Sequence, residues 1–363
     1  MPFLCKNPYL CSMLRDKRFI FGGLTLDVRL EEPWDFRELS PEEKTIAERL
    51  SRGEDIGVIP VPADKLEDLS LNERLTGHSG IKHQRYVLDF SQYAPFEAPV
   101  DGSSADFSLT ICSEMPDWLV EAEKGKASWV RVVAVDEVPP FYYGYKLGGR
   151  TVYEFFPVQD VSAGLLVLEE GYCKGVYYPR PKIGPRATMF QVNTSLMIMF
   201  TFVGAMKGSL LLHSSVIRRE GEANLFFGVS GTGKSTHSRL WLTYVEDADL
   251  MNDDNPVIRF EGDRLIAYGT PWSGKTLCYR NVKAPVRAMV RLEQAPENTI
   301  TRLYLLEAYA SVIAACSTIR WDSGVMDKII PIVERIANEV PCWQLRCRPD
   351  EEAVKVCKAA IEG

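Results

Sequence analysis

The feature that most constrains this chain is the run Gly228-Val229-Ser230-Gly231-Thr232-Gly233-Lys234-Ser235-Thr236, which satisfies the spacing GxxxxGK[ST]. Glycines at these positions let the backbone curl until its N–H groups converge on one point, and the positive end of a following helix adds to the same field. Such a loop suits a phosphate chain. Lys234 is placed to reach the β- and γ-phosphates of a nucleotide, and the Ser235 hydroxyl to ligate Mg²⁺. An apolar run at 224–228 leads into the loop. A helical pattern at 235–244 follows it, with Leu240, Trp241 and Leu242 as apolar contacts. Strand, loop and helix in that order are the context the spacing requires, so ATP or a similar nucleotide is the expected ligand. Its expected contacts are Gly228, Ser230, Gly231, Thr232, Gly233, Lys234, Ser235 and Thr236.

The rest of the chain narrows the class. Its 363 residues are 46% hydrophobic and 25% charged, a balance that suits a soluble globular protein with room for two domains. A net charge of −7 and a pI near 5.4 speak against nucleic acid as a partner. Nine cysteines, an odd number without a CxxC pair, point to reduced thiols and a cytoplasmic setting. Cys5 and Cys11 flank a short turn, and only four histidines are present, so a metal centre of Cys or His is not expected. Charged residues interrupt positions 1–18, so a signal peptide is not expected there. The most apolar stretch, 196–206, falls short of the roughly 20 residues that span a bilayer. It reads as a buried helix, and no membrane partner is expected.

Along the first half, β-rich runs at 19–26, 86–90, 107–112, 129–135, 152–158 and 165–168 alternate with turn residues. A helix is expected at 41–52, capped by Ser40 with Pro41 in its first turn, and a second at 116–123. Residues 178–186 hold three prolines together with Arg180, Lys182 and Arg186, and read as a solvated connector between domains. A long helix is expected to 206, then an apolar strand at 210–217, a turn at 220–223 and the strand entering the loop. A strand at 248–251 ends in Asn252-Asp253-Asp254-Asn255. A hairpin at 257–267, a strand at 286–292, helices at 305–315 and 326–338, a strand at 342–346 and a helix capped by Asp350 complete the chain. The expected architecture is α/β: a β-rich (α+β) N-terminal domain over 1–185 and a nucleotide-binding domain over 186–363.

Three further signals bear on chemistry. Consecutive strands in such units are usually neighbours, which would bring Asp253 and Asp254 beside the γ-phosphate. One could hold Mg²⁺ while the other takes a proton from an attacking hydroxyl. His213, in Leu211-Leu212-His213-Ser214-Ser215, reads by itself as a histidine within an apolar strand. Gly269-Thr270-Pro271-Trp272-Ser273-Gly274-Lys275 is a tight polar loop whose Lys275 could lean on phosphate or substrate.

In their order, these four segments resemble the catalytic core of the HPr kinase family, and more closely its HPr-kinase-related or phosphoenolpyruvate-carboxykinase-like members. The resemblance spans about 210–292, with a weaker echo at 340–361. It implies the C-terminal-domain fold of that family, a β-hairpin leading into the loop, His213 positioning the acidic site, Asp253 as catalytic base and Asp254 as metal ligand with Ser235. The glycine- and arginine-rich signature of HPr kinases proper is absent downstream, so HPr itself is not the expected substrate. The expectation is an ATP- and Mg²⁺-dependent kinase acting on a hydroxyl of a protein, peptide or small molecule, with Lys234, His213 and Asp253 as its catalytic residues. A non-catalytic ATP sensor and a carboxykinase-like lyase are the rivals. The N-terminal half would serve acceptor recognition or homo-oligomer formation.

Overall fold

The computed structural model describes residues 15–55, 86–135, 141–158, 160–181, 183–274 and 276–363. Lys182, Lys275, Cys5 and Cys11 lie outside them.

Two adjacent glycines shape the start of the fold. Gly22 and Gly23 take φ of 59° and 76°, values that an L side chain adopts only under strain. The run at 19–26 is therefore not the single strand expected but a hairpin of β1 (Arg15–Phe21) and β2 (Leu24–Leu30). Next come β3 (Trp34–Phe36), α1 (Pro41–Ser51), β4 (Tyr86–Leu88), β5 (Glu97–Ala98), β6 (Phe107–Ile111) and α2 (Asp117–Lys124). The half closes with β7 (Val130–Val135), β8 (Phe141–Leu147), β9 (Arg150–Phe156), β10 (Gly164–Leu168) and β11 (Lys174–Pro179). Nine of these strands form one sheet in the order β5-β1-β2-β6-β11-β10-β9-β8-β7. At α1, Ser40 accepts from the Glu43 N–H and the Glu43 carboxylate accepts from the Ser40 N–H, a reciprocal cap.

The solvated connector expected at 178–186 is corrected by the structure. β11 runs to Pro179, and α3 (Pro185–Met206) starts at Pro185. Arg180 between them donates to Glu123 at 3.0 Å and lies 3.7 Å from Glu154. Glu154 is only 2% exposed, and a carboxylate so buried is tolerated when cations meet it.

α3 is apolar on nearly every side, the pattern of a helix enclosed by protein. Among the described residues it is the one helix long and apolar enough to cross a membrane, and 72% of that stretch is buried inside the fold. Phe200 at its centre stacks on Phe21 of β1 at 5.6 Å and meets Trp272 edge-on at 5.5 Å. One hydrophobic core thus runs from Phe19, Phe107 and Tyr177 through α3 to Val257, Trp272 and Ile329.

After α3 come β12 (Ser209–Leu211), β13 (Ser214–Arg219), β14 (Glu222–Phe227), α4 (Lys234–Tyr244), β15 (Asp249–Asp254), β16 (Val257–Glu261), β17 (Arg264–Tyr268) and β18 (Lys283–Gln294). β19 (Thr299–Leu303), α5 (Leu305–Ala315), α6 (Ser323–Glu339), β20 (Cys342–Cys347) and α7 (Glu351–Glu362) end the chain. The strands form a second sheet ordered β12-β16-β17-β18-β14-β13-β15, with β20 beside β18 and β19 beside β20. Long β18 bridges its two parts, pairing β17 through Lys283–Pro285 and β14 through later residues. The fold is mixed α/β.

Candidate functional site

The site is built at one edge of the second sheet. β13 and β14 form a hairpin turning at Glu220 and Gly221, both with positive φ. β15 pairs with the other side of β13, so Phe227, Ser214 and Asp254 form a single row across three strands. Gly228, His213 and the Asp253-Asp254 pair therefore all leave the sheet at the same edge. Two expectations are corrected here. The apolar run at 210–217 is not one strand: Leu210 pairs with β16 while Ser214 pairs with β14 and β15, and the chain breaks between them at Leu212 and His213. The acid-bearing strand is not beside the loop-bearing strand, because β13, folded back in the hairpin, occupies that place.

His213 consequently sits in the break and not within a strand. Its backbone N–H donates to the Ala315 carbonyl at 2.8 Å. Its side chain is 44% exposed, with Nδ1 3.2 Å from Asp254 Oδ1. This is a surface imidazole held on a carboxylate, unlike a histidine satisfied in a core.

The glycine loop joins β14 to α4. Gly228 takes φ 155°, and a Cβ there would lie 2.9 Å from the Leu292 carbonyl oxygen. Gly233, at φ 99°, occupies the N-cap of α4 without a side-chain cap, leaving first-turn N–H groups for an outside acceptor. Ser230 and Thr236 are exposed, and Thr232, Lys234 and Ser235 half-buried. Thr232 Oγ1 donates to the Val229 carbonyl at 2.8 Å, and Lys234 Nζ to the Gly228 carbonyl at 3.1 Å. Burial lowers the Lys234 pKa from the usual ammonium range, and the charges of Asp254 and Asp253 oppose that shift.

The two aspartates face opposite ways. Cross-strand partners share a face of the sheet. Asp253 is paired with Ser215, whose Oγ accepts from Ser238 Oγ of α4 at 2.7 Å. Asp253 thus lies on the α4 side, 3% exposed, with neither carboxylate oxygen bonded among the described residues. Asp254 lies on the other side, paired with Ser214, and accepts from Asn255 Nδ2 at 2.7 Å. Asn252 fixes the turn: its Oδ1 accepts from the Asp254 and Asn255 N–H groups, while its Nδ2 donates to Thr270 and Trp272.

The loop at 269–274 closes over this turn. The Gly274 N–H donates to the Asp253 carbonyl at 2.8 Å, and a Cβ on Gly274 would lie 2.7 Å from that same oxygen and 3.4 Å from Asp254 Cβ. Gly274→Ala is therefore expected to push the loop off the aspartate pair, at a cost of about 1–3 kcal/mol. A urea unfolding series measures it, and an unchanged midpoint would show that the loop has room to spare.

Two cavities open at the site. One, of about 640 Å³, opens beside the glycine loop and is lined by Gly231, Thr236, Leu240, Gln294, Pro296 and Arg348. The other, of about 510 Å³, reaches Asp254 and Ser273 from the α3 side. Both are of small-molecule size.

His237 lines the first cavity and was not singled out by the sequence. It is 3% exposed, accepts from Trp241 Nε1 at 3.1 Å through Nε2, and has no partner at Nδ1 among the described residues. Burial pushes its pKa down to about 4. The folded state thus holds it neutral where the unfolded chain already takes a proton. Its stabilising contribution is complete above about pH 6.5 and is lost as pH falls towards 4, by about 2 kcal/mol at pH 5. Urea midpoints at pH 7 and pH 5 are expected to differ less in His237→Gln than in the wild type. Equal differences would show that His237 is not held neutral.

Among the described residues, no group of three or more His, Cys, Asp and Glu side chains converges on a metal position. The seven cysteines described, Cys112, Cys173, Cys278, Cys316, Cys342, Cys347 and Cys357, are all free thiols.

No protein-family description matches this chain, and no curated protein matches it. Among solved structures, the chain is similar to the Hpr(Ser) kinase/phosphatase from Coxiella burnetii at 14% identity and a TM-score of 0.25. The alignment covers 42% of this chain and 99% of that one. A likeness at that level carries no argument about chemistry.

Proposed function

We propose that this chain is an ATP-dependent kinase that transfers the γ-phosphoryl group to a hydroxyl acceptor. The observation that carries this reading is the single row Phe227, Ser214 and Asp254, which brings a GxxxxGKS loop and an acidic pair to one sheet edge. The loop N–H groups and Lys234 would hold the triphosphate. The faces of the two acids favour exchanging the roles expected from sequence. Asp253, buried on the α4 side with both oxygens unbonded among the described residues, would hold Mg²⁺ together with Ser235, since Mg²⁺ is commonly bound by one or two carboxylates alongside phosphate oxygens. The ion would neutralise charge on the transferring phosphoryl group. Asp254 borders the second cavity and is the better-placed base, with His213 and Asn255 fixing its carboxylate. The first cavity, bordering the loop, would receive the nucleoside.

A metabolite extract supplied with [γ-³²P]ATP, Mg²⁺ and the protein is expected to yield a labelled product that Asp254→Asn does not form. Tight nucleotide binding with no labelled product from the wild type is the result a sensor would give.

A further inference from the structure

The cavity on the α3 side says what kind of acceptor this chain takes. We infer that it binds a small, uncharged, hydroxyl-bearing molecule, with its wall shared between the two halves of the chain. This rests on the kinase reading above.

Asp254 is the only charged residue among the described residues lining this cavity of about 510 Å³. Its oxygens already meet His213 and Asn255. Among the described residues lining it, an acceptor bearing carboxylate or phosphate would find no cation, and burying an unpaired charge is costly. What the cavity offers is neutral. Asn193 Oδ1 is taken up by Gln92 Nε2 at 3.1 Å and Tyr93 OH at 2.7 Å, which leaves its Nδ2 as a donor. Ser317, Thr318 and Asn255 also border the space. Met197, Ile198 and Ile319 give it an apolar side. A few placed donors and acceptors on a mostly apolar wall are the marks of a site for a compact neutral ligand.

Gln92 comes from the N-terminal half and Asn193 from α3, while Asp254 and Asn255 come from the second sheet. Asn193 is further tied to the site by Tyr93 OH, which accepts from Trp272 Nε1 at 2.9 Å. The N-terminal half thus contributes to acceptor recognition. In the transfer, the acceptor oxygen bonds to the γ-phosphorus as the bond from phosphorus to the β–γ bridging oxygen breaks. ADP leaves with that electron pair, and the hydroxyl proton passes to the Asp254 carboxylate.

The test uses the full chain with Mg²⁺ and [γ-³²P]ATP. The probes are D-ribose, D-glucose, myo-inositol and uridine as neutral alcohols, D-glycerate as an anionic one, and a serine-containing heptapeptide. Transfer to at least one neutral alcohol is expected, at ten times or more the rate with D-glycerate. Thr194→Trp, which adds bulk to the cavity wall, is expected to raise the KM for that alcohol tenfold or more while Mg-ATP affinity changes less than twofold. Transfer to none of the neutral probes, preference for D-glycerate, or peptide phosphorylation undiminished in Thr194→Trp would each overturn the inference. A wild type that fails to bind Mg-ATP would instead overturn the kinase reading on which it rests.

Discussion

Asp254→Asn is expected to lower phosphoryl transfer about 10²–10⁴-fold, the usual loss when a general base is removed, while Mg-ATP affinity stays within about twofold. Asp253→Asn is expected to weaken Mg-ATP binding as well as turnover. The contrast follows from the sheet. Asp254 shares its face with Ser214 and borders the α3-side cavity, whereas Asp253 shares its face with Ser215 and α4. Asn keeps the shape of either side chain, so loss of fold is not the expected cause of either effect. Calorimetry with Mg-ATP and single-turnover transfer on the same preparations separate the two. If Asp253→Asn loses transfer alone and Asp254→Asn loses both, the roles are those the sequence first suggested.

The second large effect concerns how the halves are joined. Trp272 is 4% exposed, meets Phe21 edge-on at 5.1 Å and Phe200 at 5.5 Å, and donates to Tyr93. Trp272→Ala removes that packing and leaves the Tyr93 hydroxyl short of a donor, so about 3–5 kcal/mol of stability is expected to go. Trp272→Phe keeps most of the ring and loses the hydrogen bond, for a smaller cost of about 1–3 kcal/mol. Equilibrium urea unfolding reads both. A loss below about 1 kcal/mol for the alanine variant would mean that this contact does not bind the N-terminal sheet to the second one.

How far these features are legible in the sequence depends on how local their causes are. The glycine loop, the cap at Ser40 and the enclosed helix ending at Met206 are set by residues within one or two turns of each other. Their spacing shows them directly. The break at His213 is not visible, because Leu210 to Leu212 and Ser214 to Ile217 are equally apolar or small. Only their pairing with different strands separates them. The place of β13 between β14 and β15 is likewise a matter of which edge a hairpin leaves open. The Gly22-Gly23 turn carried a signal within the run at 19–26 that apolar content concealed. β8 was missed because Phe141 to Leu147 shows little alternation, and Arg180 passed for a linker residue because Glu123 and Glu154 lie far away in sequence. The cavity on the α3 side draws on Gln92, Asn193 and Asp254, which no window of sequence places together.

The central claim is that the loop from Gly228 to Thr236 holds the phosphates of a nucleotide through Lys234. Calorimetric titration of Mg-ATP into the wild type and Lys234→Ala tests it most directly. Among the described residues Lys234 Nζ donates one hydrogen bond, to the Gly228 carbonyl, so the variant is expected to unfold near the wild-type denaturant midpoint. The account predicts saturable binding by the wild type and at least tenfold weaker binding by the variant. No binding by the wild type, or equal affinity in the two proteins, would contradict it.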